Sequence, residues 1–534
     1  KSMKKIISII LVMAMGVFLA ACSTQKKEDS ADKTVKLEEL KTPAEESEWE
    51  RTTSSKEVLE YCKTVADNSG GRIILDDTTF KTEAGTPIPY MIISDKAPKG
   101  PDEVDEDKGV VYVNCNIHSG EVEGKEAMMI FAREVAQGKH DDLLKDLVVV
   151  IVPNSNPDGN DDLGKNRIET QFTPKMVGTR TEGNGLNVNR DMTKLETACG
   201  RTIVQLMNDW NPILFIDAHA TDGSYMRHAV TYNWGLNAGT DPELLEYNRD
   251  VFCSRALRKG SYLESKDKVA VPYGNWGYYY SGIVDEGWRT FEDYARYTTN
   301  YAGLRNRLAL LLEVYSYDKF PVRVETQYEC IYGALKVVAK DKDEIKEMIA
   351  AADARSKDRA KNGIDPERDI VALNSEMTPM PFEGKDKLTV LSYETDEEGQ
   401  VIGTRLYDEE GDPYDIEYGK PVDYETEYWG TFVPTDVETM GAYYLIDNDC
   451  KEFAELMKFH GVEMTELKED ITLNAEDYLH YNIQSYTSGG AVIDGTARDE
   501  YEGHYQTLVT GEWANGDKSI VIPAGTYVIS TAQR

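Results

Sequence analysis

From Trp49 to about Val338 the chain alternates short apolar runs with amphipathic stretches, and the two patterns predict different elements. Gly109–Cys115 (GVVYVNC) and Leu147–Val152 (LVVVIV) are unbroken runs rich in β-branched residues, the pattern of strands covered on both faces. Ile213–Asp217 and Leu308–Val314 read as two more buried strands. Val122–Ala136 has apolar residues at helical spacing, with Met128, Met129, Ile130 and Val135 on or near one face. Strand, helix, strand in this order predicts an α/β fold, a sheet with helices on both faces. Ligands on such sheets gather at the carboxyl ends of strands, so the chemistry is expected just after these runs.

Beyond Val338 the texture changes. Lys340–Lys361 is charged and Ala-rich, which predicts a surface helix, and Asn362-Gly363-Ile364-Asp365-Pro366 breaks it. A domain boundary is placed there, giving a larger α/β domain over 49–365 and a smaller β-rich C-terminal domain over 366–534. The second part has short runs such as Leu388–Tyr393 and Ile520–Ile522, many tyrosines, turn signals such as Glu410-Gly411-Asp412-Pro413, and one helix near Lys451–His460. The strand-like IVIPAGTYVIS runs almost to Arg534, which leaves room for a longer native chain.

At the other end, Lys4 and Lys5 precede an apolar run, Ile6–Ala21, that stops at Cys22. The run is shorter than the roughly 20 residues a membrane span needs, and it has the basic start and small final residues of a secretory signal. Leu19-Ala20-Ala21-Cys22 resembles the lipobox of bacterial lipoproteins, whose cysteine is lipidated and becomes the mature N-terminus. Residues 1–22 are therefore expected to be a lipoprotein signal peptide, and the polar stretch 23–48 a flexible tether. The expected location is extracytoplasmic, anchored to a bacterial membrane through a lipidated Cys22.

Composition narrows the partners. With 59 Lys and Arg against 95 Asp and Glu, the net charge of −36 repels phosphate backbones, so no nucleic-acid partner is expected. Apolar residues at 40% suffice for large cores and exclude a disordered chain. After Cys22, the cysteines Cys62, Cys115, Cys199, Cys253, Cys330 and Cys450 are scattered without a CxxC pair. That supports neither a zinc ribbon nor a redox motif and predicts buried free thiols.

Histidines are few, so their positions carry information. His118 and Glu121 lie in NIHSGEVEG, directly after the GVVYVNC strand, with a spacing that sets both on one side of a first helical turn. Alone the pair is a weak signal, because most such pairs are caps or surface residues. His219, in ILFIDAHATDG, also follows a buried strand, and alone reads as a hydrogen-bonded histidine at a strand edge. Together, two His and one Glu from two strand ends make a three-ligand zinc site with a fourth position open. Glu313, in LALLLEVYSY, stands where a carboxylate is expensive to bury. It is either one half of an ion pair or, near a metal-activated water, a general base. NPDGNDDLGKNR opens with a turn at Asn156-Pro157-Asp158-Gly159. Arg180, Asn189 and Arg190, in RTEGNGLNVNRD, supply donors suited to a carboxylate or an oxyanion. The aromatic-dense stretch Tyr273–Tyr301 lines a groove or caps the core. Glu123 and Glu126 read as a solvated helix face. His228 reads as a surface residue or one standing behind the ligands, and His460, His480 and His504 lack metal spacing.

The order His-x-x-Glu, Asn-Pro-Asp-Gly, Arg, Asn-Arg, His, Glu, each at a strand end or loop, resembles the zinc carboxypeptidase family over roughly Lys56–Ala334. The resemblance implies a mixed central sheet with helices on both faces, and one zinc per chain held by His118, Glu121 and His219. It implies Glu313 as general base and Arg180 at the oxyanion, with Arg167 as the competing assignment. Asn189 and Arg190 would hold the substrate's C-terminal carboxylate. Of Tyr294, Tyr297 and Tyr301, Tyr301 is favoured as the substrate-facing tyrosine. The family usually has an aspartate two residues before the Asn-Arg pair, hydrogen-bonded to the first zinc histidine. Here Asn187 stands in that place, a departure that softens the hold on the metal. The implied activity is that of an exported zinc metallocarboxypeptidase acting on peptides with a free C-terminal carboxylate. Two rivals remain: a zinc amidase or deacylase for N-acyl amino acids or cell-wall stem peptides, and a lipoprotein that binds peptide or metal without turnover.

Overall fold

The computed structural model describes residues 36–221, 223–475, 478–487, 492–493, 496–497, 500–505 and 507–533. The expected signal peptide, its Cys22 and the start of the tether lie outside the described residues. The chain forms two units: one ends at Leu40, its described part being a turn over 37–39, and the other runs from Lys41 onward. Residues 41–48, expected as the end of the tether, are packed against the second unit's own core. Thr42 and Glu45 form a capping box around the helical turn Pro43–Glu46, Ala44 is buried, and Arg133 donates to Glu45 at 2.5 and 3.1 Å.

Eight strands make the central sheet: β1 (Ile73–Asp76), β2 (Tyr90–Ile93), β3 (Gly109–Cys115), β4 (Leu147–Val152), β5 (Leu214–Ala220), β6 (Val230–Asn233), β7 (Ala270–Pro272) and β8 (Leu308–Val314). Their order is β1-β2-β4-β3-β5-β8-β6-β7. β4, β3, β5 and β8 are parallel neighbours, whereas β2 and β6 join this group antiparallel, so the sheet is mixed. The unbroken apolar runs occupy its centre because only strands covered on both faces need no polar side: every residue of β3, β4 and β5 is buried. Alternation splits each strand between two layers. Val110, Tyr112, Phe215 and Ala309 pack with Ile203 and Val204 of α3 (Ala198–Trp210) and Ala302 of α4 (Thr298–Leu304). On the opposite face lies α2 (Glu123–Ala136), which also packs against α1 (Ser55–Asp67) and α5 (Phe320–Asn362). Gly124 of α2 approaches so closely that an added Cβ would lie 2.7 Å from Ala218 Cβ and 3.2 Å from Cys115 Cβ.

The charged segment expected as a surface helix is the second half of the 43-residue α5. Its first half carries the buried Cys330, Ile331, Ala334 and Leu335, which is why the surface pattern begins only near Lys340. Past residue 366 the chain is β-rich, with a helix α6 (Lys451–Phe459). Here β9 (Ile370–Met380) pairs with β10 (Tyr428–Thr439), and β10 adds in parallel to the short strand Trp288–Arg289. Residues from both sides of the expected boundary thus share one sheet. Five of the six later cysteines are buried and free, while Cys450 is free but exposed. Among the described residues no helix is long and apolar enough to cross a membrane.

The expectation of a solvated face on α2 is overturned. Glu123 and Glu126 are both fully buried. Glu126 accepts from Thr53 N at 2.8 Å and from the Thr52 and Thr53 hydroxyls at 3.0 and 2.7 Å. Glu123 accepts from Arg323 Nε at 2.5 Å, and Arg323 spends its other donors on the carbonyls of Ser316, Asp318 and Thr173. This arginine ties the exit of β8 to the start of α2. Removing one partner strands a buried charge, so Glu123→Ala should cost roughly 3–5 kcal/mol in urea unfolding. A loss of about 1 kcal/mol or less, typical of exposed pairs, would show that water solvates Arg323.

Candidate active site

The three ligand candidates meet because two parallel strands end side by side. His118 and Glu121 follow β3, and His219 is near the end of β5, the next strand in the sheet. The rings of His118 and His219 lie 4.8 Å apart at 65°. Glu121, 6% exposed, sits between them: Oε1 is 3.0 Å from His118 Nδ1, and Oε2 is 2.8 Å from His219 Nδ1. The Ala220 N–H also donates to Oε2 at 3.2 Å. Burial alone would raise the Glu121 carboxyl, but the two imidazoles outweigh it and hold it well below its ordinary range.

Each histidine is oriented through its far nitrogen. His118 Nε2 lies 3.1 Å from Asn187 Oδ1, and His219 Nε2 lies 3.0 Å from Asp217 Oδ2. Asn187 Oδ1 can only accept, so the proton of His118 on that side sits on Nε2, whereas His219 has a carboxylate at each ring nitrogen, Asp217 on one side and Glu121 on the other. Burial, then the charge of Arg180, push His118 down to about 4, so it is neutral near pH 7. Burial works against a charged His219, yet Asp217 and Glu121 raise it well above its ordinary value. Two Nδ1 atoms and a carboxylate converging in this way ask for a cation, and zinc suits this donor set.

Asp217 was missed in the sequence, although it left a signal: it lies two residues before His219 and so on the same face of β5. Asn114 Nδ2 donates to it at 2.9 Å, and so does the Thr298 hydroxyl. Asn156 also does more than make a turn. Its Oδ1 caps Gly159 N–H at 3.0 Å, while its Nδ2 donates to the carbonyls of Ile117 and Thr181 at 3.1 Å, bracketing His118 and Arg180.

Glu313 arrives by register. In the parallel pairing of β8 with β5 it stands opposite His219, and it is less buried than its strand neighbours. It lines one cavity of about 610 Å³ with His118, Glu121, Arg180, Asn189 and Arg190. Arg180 Nη1 lies 3.4 Å from Glu121 Oε1. Arg167, the competing assignment, is instead paired with Asp162 at 3.0 and 3.1 Å and is not among the residues lining this cavity. Asn189 is fixed by Thr298 N–H donating to its Oδ1 at 3.0 Å, and the Arg190 guanidinium lies 4.4 Å over the Tyr297 ring.

Tyr301 is not brought to the cavity. Its hydroxyl bonds His460 Nδ1 at 2.9 Å and accepts from Arg305 at 2.8 Å, and its ring joins the core beside α3. Tyr273, Tyr280, Phe291 and Tyr297 line the cavity instead, while Trp276 and Trp288 are buried, so the aromatic stretch both lines a groove and caps the core. His228 is buried and accepts from Leu391 N–H at 2.9 Å, a contact with the C-terminal region.

One cavity residue comes from a part of the chain in which no site residue was expected. Glu502 accepts from Arg190 Nη2 at 3.0 Å, from Arg180 Nε at 3.2 Å and from Asn187 Nδ2. Burial opposes its ionised form, but the two arginines and the amide win and hold the carboxyl at about 2. His504 gathers with Asp191 and Glu196, a cluster that sequence spacing could not reveal because His504 lies some 300 residues from the other two. The side chain of His480 lies outside the described residues.

Asp217→Asn should weaken zinc binding about 10- to 100-fold in chelator competition, since it removes the charge behind His219. His118→Ala should abolish stoichiometric zinc in metal analysis. Retention of full zinc by both His118→Ala and His219→Ala would refute this ligand set.

Residues 59–244 match the sequence model of the family described as zinc carboxypeptidase. A metallo-carboxypeptidase from Burkholderia cenocepacia is similar over 55% of this chain and 70% of its own, at 16% identity and a TM-score of 0.40. A metallo-carboxypeptidase from Pseudomonas aeruginosa, solved with (2-guanidinoethylmercapto)succinic acid, is similar over the same shares at 16% identity and 0.39. Bovine thrombin-activatable fibrinolysis inhibitor, solved with tick carboxypeptidase inhibitor, is similar over 55% of this chain and 99% of its own, at 13% identity and 0.38. No curated protein matches the chain at a significant level.

Proposed function

We propose that this chain, which carries a zinc carboxypeptidase family domain over residues 59–244, hydrolyses the C-terminal residue from peptides with a free carboxylate. The observation that carries the reading is the register of β8 on β5. It puts Glu313 beside His219 and on the wall of the cavity that Arg180, Asn189 and Arg190 also line.

Zinc, when bound, supplies a Lewis acid for the scissile carbonyl and acidifies water. Glu313 takes the proton of the attacking water and returns it to the leaving amine. Arg180 offers its guanidinium to the oxygen on which negative charge develops. Arg190 and Asn189 receive the substrate's terminal carboxylate, and Tyr297 keeps the Arg190 guanidinium in place through its ring face. Tyr273, Tyr280 and Phe291 give the side chain of the departing residue an apolar surface.

Glu313→Gln should keep zinc and lower kcat by on the order of 10² to 10⁴-fold, the usual contribution of a general base. A change confined to KM would assign proton transfer to another group. Release of single C-terminal residues from a peptide panel, against no cleavage of N-acyl amino acids or stem peptides, is the expected outcome. Hydrolysis of N-acyl amino acids alone would favour a deacylase.

The chain is further proposed to act outside the cytoplasm of a bacterium, held to the membrane by a lipid on Cys22. Wild-type protein expressed in a bacterial host should partition into the detergent phase, and Cys22→Ser should move it to the aqueous phase. Equal partitioning of the two would refute the anchor.

A further inference from the structure

The hairpin that carries Glu502 is shaped to lie against the site. Glu500 pairs with Tyr505 and Tyr501 with His504, leaving Glu502 and Gly503 as a two-residue turn with φ of 47° and 90°. Both values are positive, as in the hairpin turn that favours Asn, Asp or Gly at its first position, so a glutamate there serves something other than the turn. Gly503 presses on the neighbouring loop: an added Cβ would lie 2.5 Å from Gly185 O and 3.1 Å from Leu186 Cα. The backbone of Asn187 is bonded on both sides. Its N–H donates to Glu502 O at 3.1 Å, and its carbonyl accepts from His504 Nε2 at 2.8 Å. The other ring nitrogen of His504 faces Glu196 Oε2 at 2.7 Å.

What the turn delivers is a carboxylate, placed on Arg190, Arg180 and Asn187. The presence of Asn187 gains a physical reason from this. Its amide faces His118 through Oδ1 and donates to Glu502 through Nδ2, whereas an aspartate would set two carboxylates against each other.

We propose that Glu502 is a specificity-determining residue, an internal carboxylate that occupies Arg190, with Arg180 and Asn187 as its further partners, so that a substrate's terminal carboxylate reaches Arg190 and Asn189 only by displacing it. The proposal rests on the carboxypeptidase reading of those two residues. Affinity for a carboxylate ligand is then scaled by the fraction of molecules with Glu502 undocked, and on the order of tenfold is expected for an intramolecular competitor held by two guanidiniums. A ligand with an uncharged end does not compete and escapes the penalty.

The test is calorimetric binding of N-acetylphenylalanine and of its amide to the zinc-loaded full chain, in wild type, Glu502→Gln and Glu502→Ala. Both variants should bind the acid about tenfold more tightly and the amide no differently. His504→Ala, which loosens the hairpin and keeps the carboxylate, should shift acid binding the same way and decides the matter if the Glu502 variants do not fold. Unchanged acid affinity, weaker acid binding, or an equal gain for acid and amide would overturn the proposal. Because binding is read without turnover, the two readings separate. Tighter acid binding without peptide cleavage would leave Glu502 as the competitor and sink the peptidase. Cleavage with unchanged acid binding in the variants would sink only the competitor. No binding of the acid by any variant would sink both.

Discussion

Burying one carboxylate between two strand ends is the constraint from which the site grows. Glu121 would be costly in an apolar interior on its own, by several kcal/mol even after relaxation. It is tolerated because His118, His219 and the Ala220 N–H face it. Those partners need fixing in turn: His118 by Asn187, His219 by Asp217, and Asp217 by Asn114 and Thr298. A single charge thereby recruits β3, β5, the loop ahead of Arg190 and the first turn of α4. A one-residue slip of β5 would turn His219 and Asp217 together onto the face covered by α2, so the strand register and the site stand or fall as one.

The central strands were legible because short, β-branched apolar runs such as GVVYVNC and LVVVIV suit strands covered on both faces. His118, Glu121, His219 and Glu313 were legible because strand ends are where such sheets place chemistry, and the structure sets His118, Glu121 and Glu313 on the wall of one cavity with His219 buried against Glu121. What the sequence hid are partnerships between distant segments. Glu123 sits at the start of a helix, where a solvated acid is the ordinary reading, and its partner Arg323 lies 200 residues away. Tyr301 looked like its neighbours in an aromatic-rich stretch, but helical phase in α4 turns it to the core and to His460. Tyr297, just before that helix, faces the cavity instead.

The C-terminal region was the least legible part, because its contribution is tertiary. Its long strand β10 continues a sheet begun at Trp288–Arg289, Leu391 donates to the buried His228, and Glu502 reaches the cavity. None of these contacts has a local sequence signature. Each depends on where a distant backbone passes.

The position of Glu502 also bears on how the net charge of −36 acts on a carboxylate ligand. At physiological ionic strength the Debye length is about 8 Å, so most of that surface charge is screened at the cavity. The groups that decide the local field are those nearest to where the carboxylate is received, namely Arg190, the neighbouring Arg180 and the charge that already contacts both. Glu502 lies 3.0 and 3.2 Å from these two guanidiniums, where screening by salt is weakest. One half-buried carboxylate therefore weighs more on recognition than the whole acidic exterior, and it weighs only while the hairpin is docked. The electrostatics of the site are in this sense set by chain geometry, through the backbone bonds that fix Glu502 and His504 to Asn187.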